Sequence, residues 1–151
     1  MEILIVITIF AVLGMIVTRS VILTLQGSQK SESMVSAREN LDYSMGIIER
    51  QIRNADAITS ACNSTSSNSI SYLDQDGIAS SFACSGGSIS SGSAILTNSN
   101  VAVTSCHIFK CIPSSFGPPE VDIDITVQNK NTMGILGSAV SASTQIFLRD
   151  Y

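Results

Sequence analysis

Tryptophan is absent from this 151-residue chain, histidine occurs once, and eight Lys and Arg face twelve Asp and Glu. The formal charge of −4, with no cluster of basic residues, excludes the electrostatic footprint of a nucleic-acid-binding protein. Charged residues make up only 13% of the chain against 44% hydrophobic, so a largely solvated, disordered chain is excluded as well. No Gly-x-Ser-x-Gly elbow and no phosphate-cradling glycine loop occurs. Nothing looks catalytic, and neither an enzyme nor a cofactor is expected. Proline is first met at Pro113, so the strongest helix breaker is missing from the whole N-terminal half. Cysteine is missing before Cys62, and the four that follow (Cys62, Cys84, Cys106, Cys111) form an even set in a Ser/Thr/Asn-rich region. That pattern points to two disulfides in an oxidising compartment, which places the C-terminal part outside the cytoplasm.

What the chain has in abundance stands at its start. Glu2 is followed by Ile3-Leu4-Ile5-Val6-Ile7-Thr8-Ile9-Phe10-Ala11-Val12-Leu13-Gly14-Met15-Ile16-Val17, apolar on every face of a helix. Such a helix must be surrounded by lipid or by other apolar helices. An acid inside a membrane helix costs roughly 2.5–3.5 kcal/mol, and a buried charge persists only when paired. Nothing within the run can pair Glu2, so its partner is expected on another chain. The run is too long for a cleaved signal peptide and has no small-residue cleavage site. It needs Val21-Ile22-Leu23-Thr24-Leu25 to reach the roughly 20 residues that span a bilayer, with Arg19 snorkelling or paired. Arg19 and Lys30 would naively put the downstream side in the cytoplasm. The cysteines argue the opposite and are given more weight.

The stretch from Met1 to Gly14 resembles the mature N-terminus of type IV pilins and type II secretion pseudopilins. Members of that family open Phe-Thr-Leu, then an aliphatic residue or Met, then Glu, then an apolar helix. Met1-Glu2 fits that pattern in one register only. The resemblance therefore implies residues ahead of Met1, ending a basic leader and opening Phe-Thr-Leu. It further implies that Glu2 forms a subunit-assembly charge pair with the free amine of a neighbouring copy. Ile3, Leu4, Ile5, Val6, Ile7, Ile9, Phe10, Val12, Leu13 and Gly14 would then pack in a filament core.

Beyond Gln26 the composition changes, but the helix is expected to continue to about Asp56, roughly 80 Å in all. Met34, Leu41, Met45, Ile48, Ile52 and Ala55 form one apolar stripe on an otherwise charged surface. Gly14, Thr18-Arg19-Ser20 and Gly27 are its weak points, with Gly14 read equally as a close helix approach or as a site of local melting. Three segments follow: residues 1–27 as membrane or filament-core half-helix, 28–56 as amphipathic half-helix, and 57–151 as a disulfide-containing head. Strands are expected at Ser69–Leu73 and Ile78–Ala83, joined by the Asp74-Gln75-Asp76-Gly77 turn. Further strands are expected at Ala94–Thr97, Val101–Thr104, Val121–Val127 and Gln145–Arg149. Ser85–Ser93 and Pro113–Pro119 read as loops. The fold class is α+β: a long helix with a small antiparallel sheet packed on its second half, as in pilins. The helix end Ile47–Ala55, the segment Leu96–Val103 and the terminal Leu148-Arg149-Asp150 loosely resemble the J-type minor pseudopilins.

His107, beside Cys106 and near Cys111, has poor spacing for tetrahedral zinc, and oxidised cysteines would leave it no thiol partner. No metal site is expected. Asp74-x-Asp76-Gly77 resembles the start of a calcium loop but lacks the glutamate at its twelfth position, so a plain turn is preferred. Asn63-Ser64-Thr65 fits a glycosylation acceptor and reads first as a surface loop. Cys106 with Cys111 and Cys62 with Cys84 is the preferred pairing, the other two connectivities remaining open.

Three functions follow as expectations: a structural subunit of a type IV pilus-like filament, a minor pseudopilin at a secretion-fibre tip, or a membrane-anchored head that never polymerises. The first implies copies of itself as partners, storage in the inner membrane, and an extracellular fibre. By resemblance it also implies a prepilin peptidase, an assembly ATPase and a platform protein. Mass spectrometry of the native N-terminus is expected to find residues ahead of Met1; an intact mass starting at Met1 would remove that register.

Overall fold

The computed structural model describes residues 2–114, 117–130 and 139–148. Met1, Ser115, Phe116, Arg149 and Asp150, each part of an expectation above, lie outside the described residues. One helix, α1 (Glu2–Arg53), runs unbroken through Gly14 and Gly27. Arg50 and Arg53 occupy its last turn, where cations favour the helix C-terminus. Burial begins only at Ser33 and continues through Ala37, Leu41, Ser44, Met45, Ile48 and Ile52. Met34, expected on the buried stripe, is instead 43% exposed. The face it was assigned is held by Ser33 and Ala37, whose small side chains let the helix lie close while giving little hydrophobic signal.

The head consists of two five-stranded antiparallel sheets rather than the single small sheet expected. Ten strands build them: β1 (Ala57–Ile58), β2 (Ser66–Ser67), β3 (Ser69–Leu73), β4 (Ala79–Ser85), β5 (Ser88–Ser91), β6 (Ala94–Ile95), β7 (Val101–Val103), β8 (Phe109–Ile112), β9 (Glu120–Asn129) and β10 (Ala139–Phe147). The first sheet has the order β1-β3-β4-β5-β6. The second has the order β10-β9-β8-β2, with β7 also paired to β9. Strand β9 organises the second sheet. It pairs with β10 from Gln128↔Ala139 to Glu120↔Phe147. Its other edge is shared by β8 and β7, which follow one another along it. Val121, Ile123, Ile125 and Val127 of β9 are all buried, as its strict alternation predicts. The helix packs chiefly against β9 and β10.

The segment Ser85–Ser93 is not a loop. Ser85 and Ser88 pair across Gly86-Gly87, both at positive φ (58° and 77°), which makes a two-residue hairpin and lets β5 join β4. A residue with a Cβ would be strained at either position, which is why this turn uses a glycine pair. The strands flanking Asn98–Asn100 do not pair with each other: β6 joins the first sheet and β7 the second.

One core cluster spans the helix and both sheets. Phe82 of β4 lies between Tyr72 of β3 (ring centroids 5.4 Å apart) and Phe109 of β8 (6.4 Å), so stacked aromatics join the sheets. The disulfides do the same covalently, and their pairing departs from the preferred one: Cys62 bonds Cys111 and Cys84 bonds Cys106. The reason is register. Strand β2 pairs with Phe109 and Lys110, and the Ser64 N–H donates to the Cys111 carbonyl, which carries Cys62 alongside Cys111. Proximity in sequence loses to the partner that an antiparallel strand delivers.

Tyr72 ties the first sheet to the helix, its hydroxyl donating to Gln51 Oε1 at 2.6 Å. Burial pushes its phenol above the ordinary value, the Asp74 charge adds to this, and hydrogen bonds with Ser80 and Ser91 oppose it. The fold thus favours the neutral ring. That contribution is complete below about pH 10, the unfolded value, and is lost as the pH rises through the higher folded value. Tyr72→Phe is expected to cost about 1 kcal/mol at neutral pH. In urea unfolding, the gap between the parent and this variant should close above about pH 10. A constant gap up to the alkaline limit would contradict this account.

Candidate functional site

The feature that demands an explanation is the first half of α1. Every described residue before Ser33 is exposed. Ile3, Leu4, Ile5, Val6, Ile7, Ile9, Phe10, Val12 and Leu13 are between 52% and 77% accessible, and Gly14 is exposed as well. The exposed apolar surface continues beyond the residues singled out from the sequence, through Met15, Ile16, Val17, Val21, Ile22, Leu23 and Leu25. Unbroken hydropathy past Arg19 was the signal for that extension. The helix is long and apolar enough to cross a membrane by length and composition. A soluble monomer rarely exposes a contiguous apolar patch above a few hundred Å², and this surface surrounds a rod on all sides.

Its polar groups are arranged for a dry environment. Thr8 Oγ1 donates to the Ile5 carbonyl at 2.8 Å, Thr18 Oγ1 to Gly14 at 2.8 Å and Thr24 Oγ1 to Ser20 at 2.9 Å. Each hydroxyl is satisfied within the helix and presents no free donor outward. These back-bonds were not read from the sequence, although a lone Thr in an apolar helix is the pattern that permits them.

Two charges remain in the rod, Glu2 and Arg19. Neither has an ion-pair partner among the described residues, where the ion pairs are Arg38–Asp42 and Lys110–Asp122. Glu2 sits in the first helical turn, where the helix dipole favours an acid by about 0.3–1 kcal/mol. Withdrawal into a membrane interior costs more, roughly 2.5–3.5 kcal/mol. The dipole alone does not compensate the carboxylate there. An added Cβ at Gly14 would meet nothing within 4 Å, so nothing within the chain requires a glycine at that position.

The head offers less chemistry. A groove of about 680 Å³ on the second sheet is lined by His107, Lys110, Asp122, Asp124, Ser143 and Gln145, among others. Lys110 Nζ lies 3.9 Å from Asp122 Oδ2, and Asp122 Oδ1 is buried without a hydrogen-bond partner among the described residues. His107 has no thiol beside it, because Cys106 and Cys111 are both in disulfides. Among the described residues no group of three or more His, Cys, Asp or Glu is placed to hold a metal ion. Asp74 Oδ1 accepts from the Asp76 and Ile78 amides, so that carboxylate serves the turn. Asn63 Oδ1 accepts from the Thr65 amide in an exposed loop. No family model, curated protein or solved structure matches this chain.

Because no described residue before Ser33 is buried, the head owes nothing to the apolar half. A chain beginning at Ser28 is expected to stay monomeric without detergent and to keep both disulfides. Its urea midpoint should match that of the full chain in detergent within the usual ~10–15% error of such fits. A clearly lower midpoint would show that residues 2–27 support the head.

Proposed function

We propose that this chain is a structural subunit of a type IV pilus-like extracellular filament. Residues 2–25 hold it in the inner membrane before assembly and then pack among copies of themselves in the fibre core. The observation that carries this reading is a single helix whose apolar half is bare on every side and opens on an unpaired carboxylate. A lipid bilayer would cover the apolar surface but would leave Glu2 uncompensated. Neighbouring copies cover the surface and bring a cation as well. The two sheets form the outer face of the fibre, with the disulfides securing a head of modest size. A prepilin peptidase, an assembly ATPase and a platform protein are the partners that the N-terminal resemblance implies.

An anchored head that never polymerises needs no acid at the start of its helix, and Glu2 weighs against it. A minor pseudopilin at a fibre tip differs in stoichiometry, so a fibre composed mostly of this chain separates the two.

Glu2→Leu distinguishes anchoring from assembly. If Glu2 only begins an anchor, the change removes a costly carboxylate and is harmless. If Glu2 is paired within the fibre, the change strands a buried cation at every subunit, typically at about 3–5 kcal/mol each. The variant should be made, inserted and disulfide-bonded normally, yet electron microscopy should find few or no filaments. Normal filament yield would refute the pairing.

A further inference from the structure

The rod from Glu2 to Gln29 carries one negative and one positive charge, seventeen residues apart. On a continuous helix that spacing is about 25 Å along the axis, so the two cannot meet within one chain. Lys30, the next cation, lies past Gln26, Gly27, Ser28 and Gln29, outside the apolar run and close to Glu32. Arg19 is therefore the cation within the dry segment. Copies lying flush in a membrane, all in the same orientation, would set Glu2 beside Glu2 and Arg19 beside Arg19. Like charges in register repel. A parallel copy displaced by about 25 Å brings the guanidinium of one chain level with the carboxylate of the next.

We infer that Arg19 of an axially staggered second copy is the cation that pairs with Glu2, so that the pair forms on leaving the flush membrane arrangement and fixes the stagger of the fibre. This rests on the filament reading above and names its contact. At about 100° per residue, Glu2 and Arg19 point roughly 100° apart around the rod. A subunit thus uses different sides for the neighbour it receives and the neighbour it supplies. Such a contact is heterologous and stays open, which builds a chain of copies rather than a closed pair. Guanidinium chemistry also suits such a pair, because the group stays charged when desolvated and binds a carboxylate through two parallel N–H donors.

Two measurements test this on the full chain. The first leaves both charges intact and places Ile9→Cys with Gln26→Cys, one heptad along the same seam, where a seven-residue step returns to nearly the same face. The described native cysteines are all in disulfides, so the new thiols are free to report. Mild oxidation of purified filaments should give a ladder of covalent multimers, while membrane-held subunits stay monomeric. Covalent dimers alone would indicate an antiparallel pair and overturn the inference, as would the absence of any cross-link. The second measurement is filament yield. Arg19→Leu should lower it about tenfold or more, Arg19→Lys should retain most of it, and Glu2→Arg combined with Arg19→Glu should restore what each reversal alone abolishes. Normal yield from Arg19→Leu, with Glu2→Leu still defective, overturns the role of Arg19 and leaves the filament reading standing. Normal yield from Glu2→Leu removes both.

Discussion

A single helix here has to satisfy two surroundings, and the rest of the molecule depends on that constraint. From Ser33 onward one face of α1 lies against protein while the other carries charge toward water. Before Ser33 the same helix shows apolar side chains in every direction, with its threonine hydroxyls turned back onto its own carbonyls. A helix that is apolar all round has no favourable orientation against a single sheet, so the head cannot cover it. The cover has to come from outside the chain, first lipid and, in the proposed filament, other copies. Burial of that surface is the dominant driving force available to such an assembly. It is non-directional, so the few charges within it have to supply register.

The head is built to hold the other half of the helix in place. Strand β9 gives the helix a continuous apolar row, and β10 extends that platform. The first sheet is joined through the Tyr72–Phe82–Phe109 stack and the Tyr72–Gln51 hydrogen bond. Asn40 reaches from the helix to the Asn98 amide, and the Thr144 hydroxyl donates to Glu49. These polar ties differ from the apolar contacts in being directional, so they fix how the helix sits on the head rather than how strongly it is held.

Much of this was legible in the residues because local pattern and global packing agree there. The unbroken helix follows from the absence of proline, and β3, β9 and the Asp74–Gly77 turn follow from alternation and turn chemistry. The exposed rod followed from hydropathy alone. Other features depend on partners distant in sequence. Strand β10 begins at Ala139 in a run of small and polar residues, and it is a strand because β9 offers it a full edge. Strand β8 lay hidden between Cys106 and Cys111, where attention went to a histidine and two thiols. The Gly86-Gly87 turn did carry a local signal, masked by surrounding serines. Disulfide connectivity was the least legible feature, since sheet register sets it and sequence distance does not. How Glu2 and Arg19 are compensated is written in no single chain's fold.

The two disulfides are nested: Cys84–Cys106 lies inside the loop closed by Cys62–Cys111. A tensile load entering at α1 and leaving near the C-terminus therefore passes from residue 62 to residue 111 through one sulfur–sulfur bond. The intervening chain is bypassed and cannot be drawn out until that bond is reduced. What remains free to extend is the short connection after α1 and the segment following Cys111, where β9 and β10 lie zipped along their length. As a mechanical element, the head has a short fuse of extensible chain and a covalently shielded interior, so pulling would peel its edge before disturbing the aromatic stack at its centre.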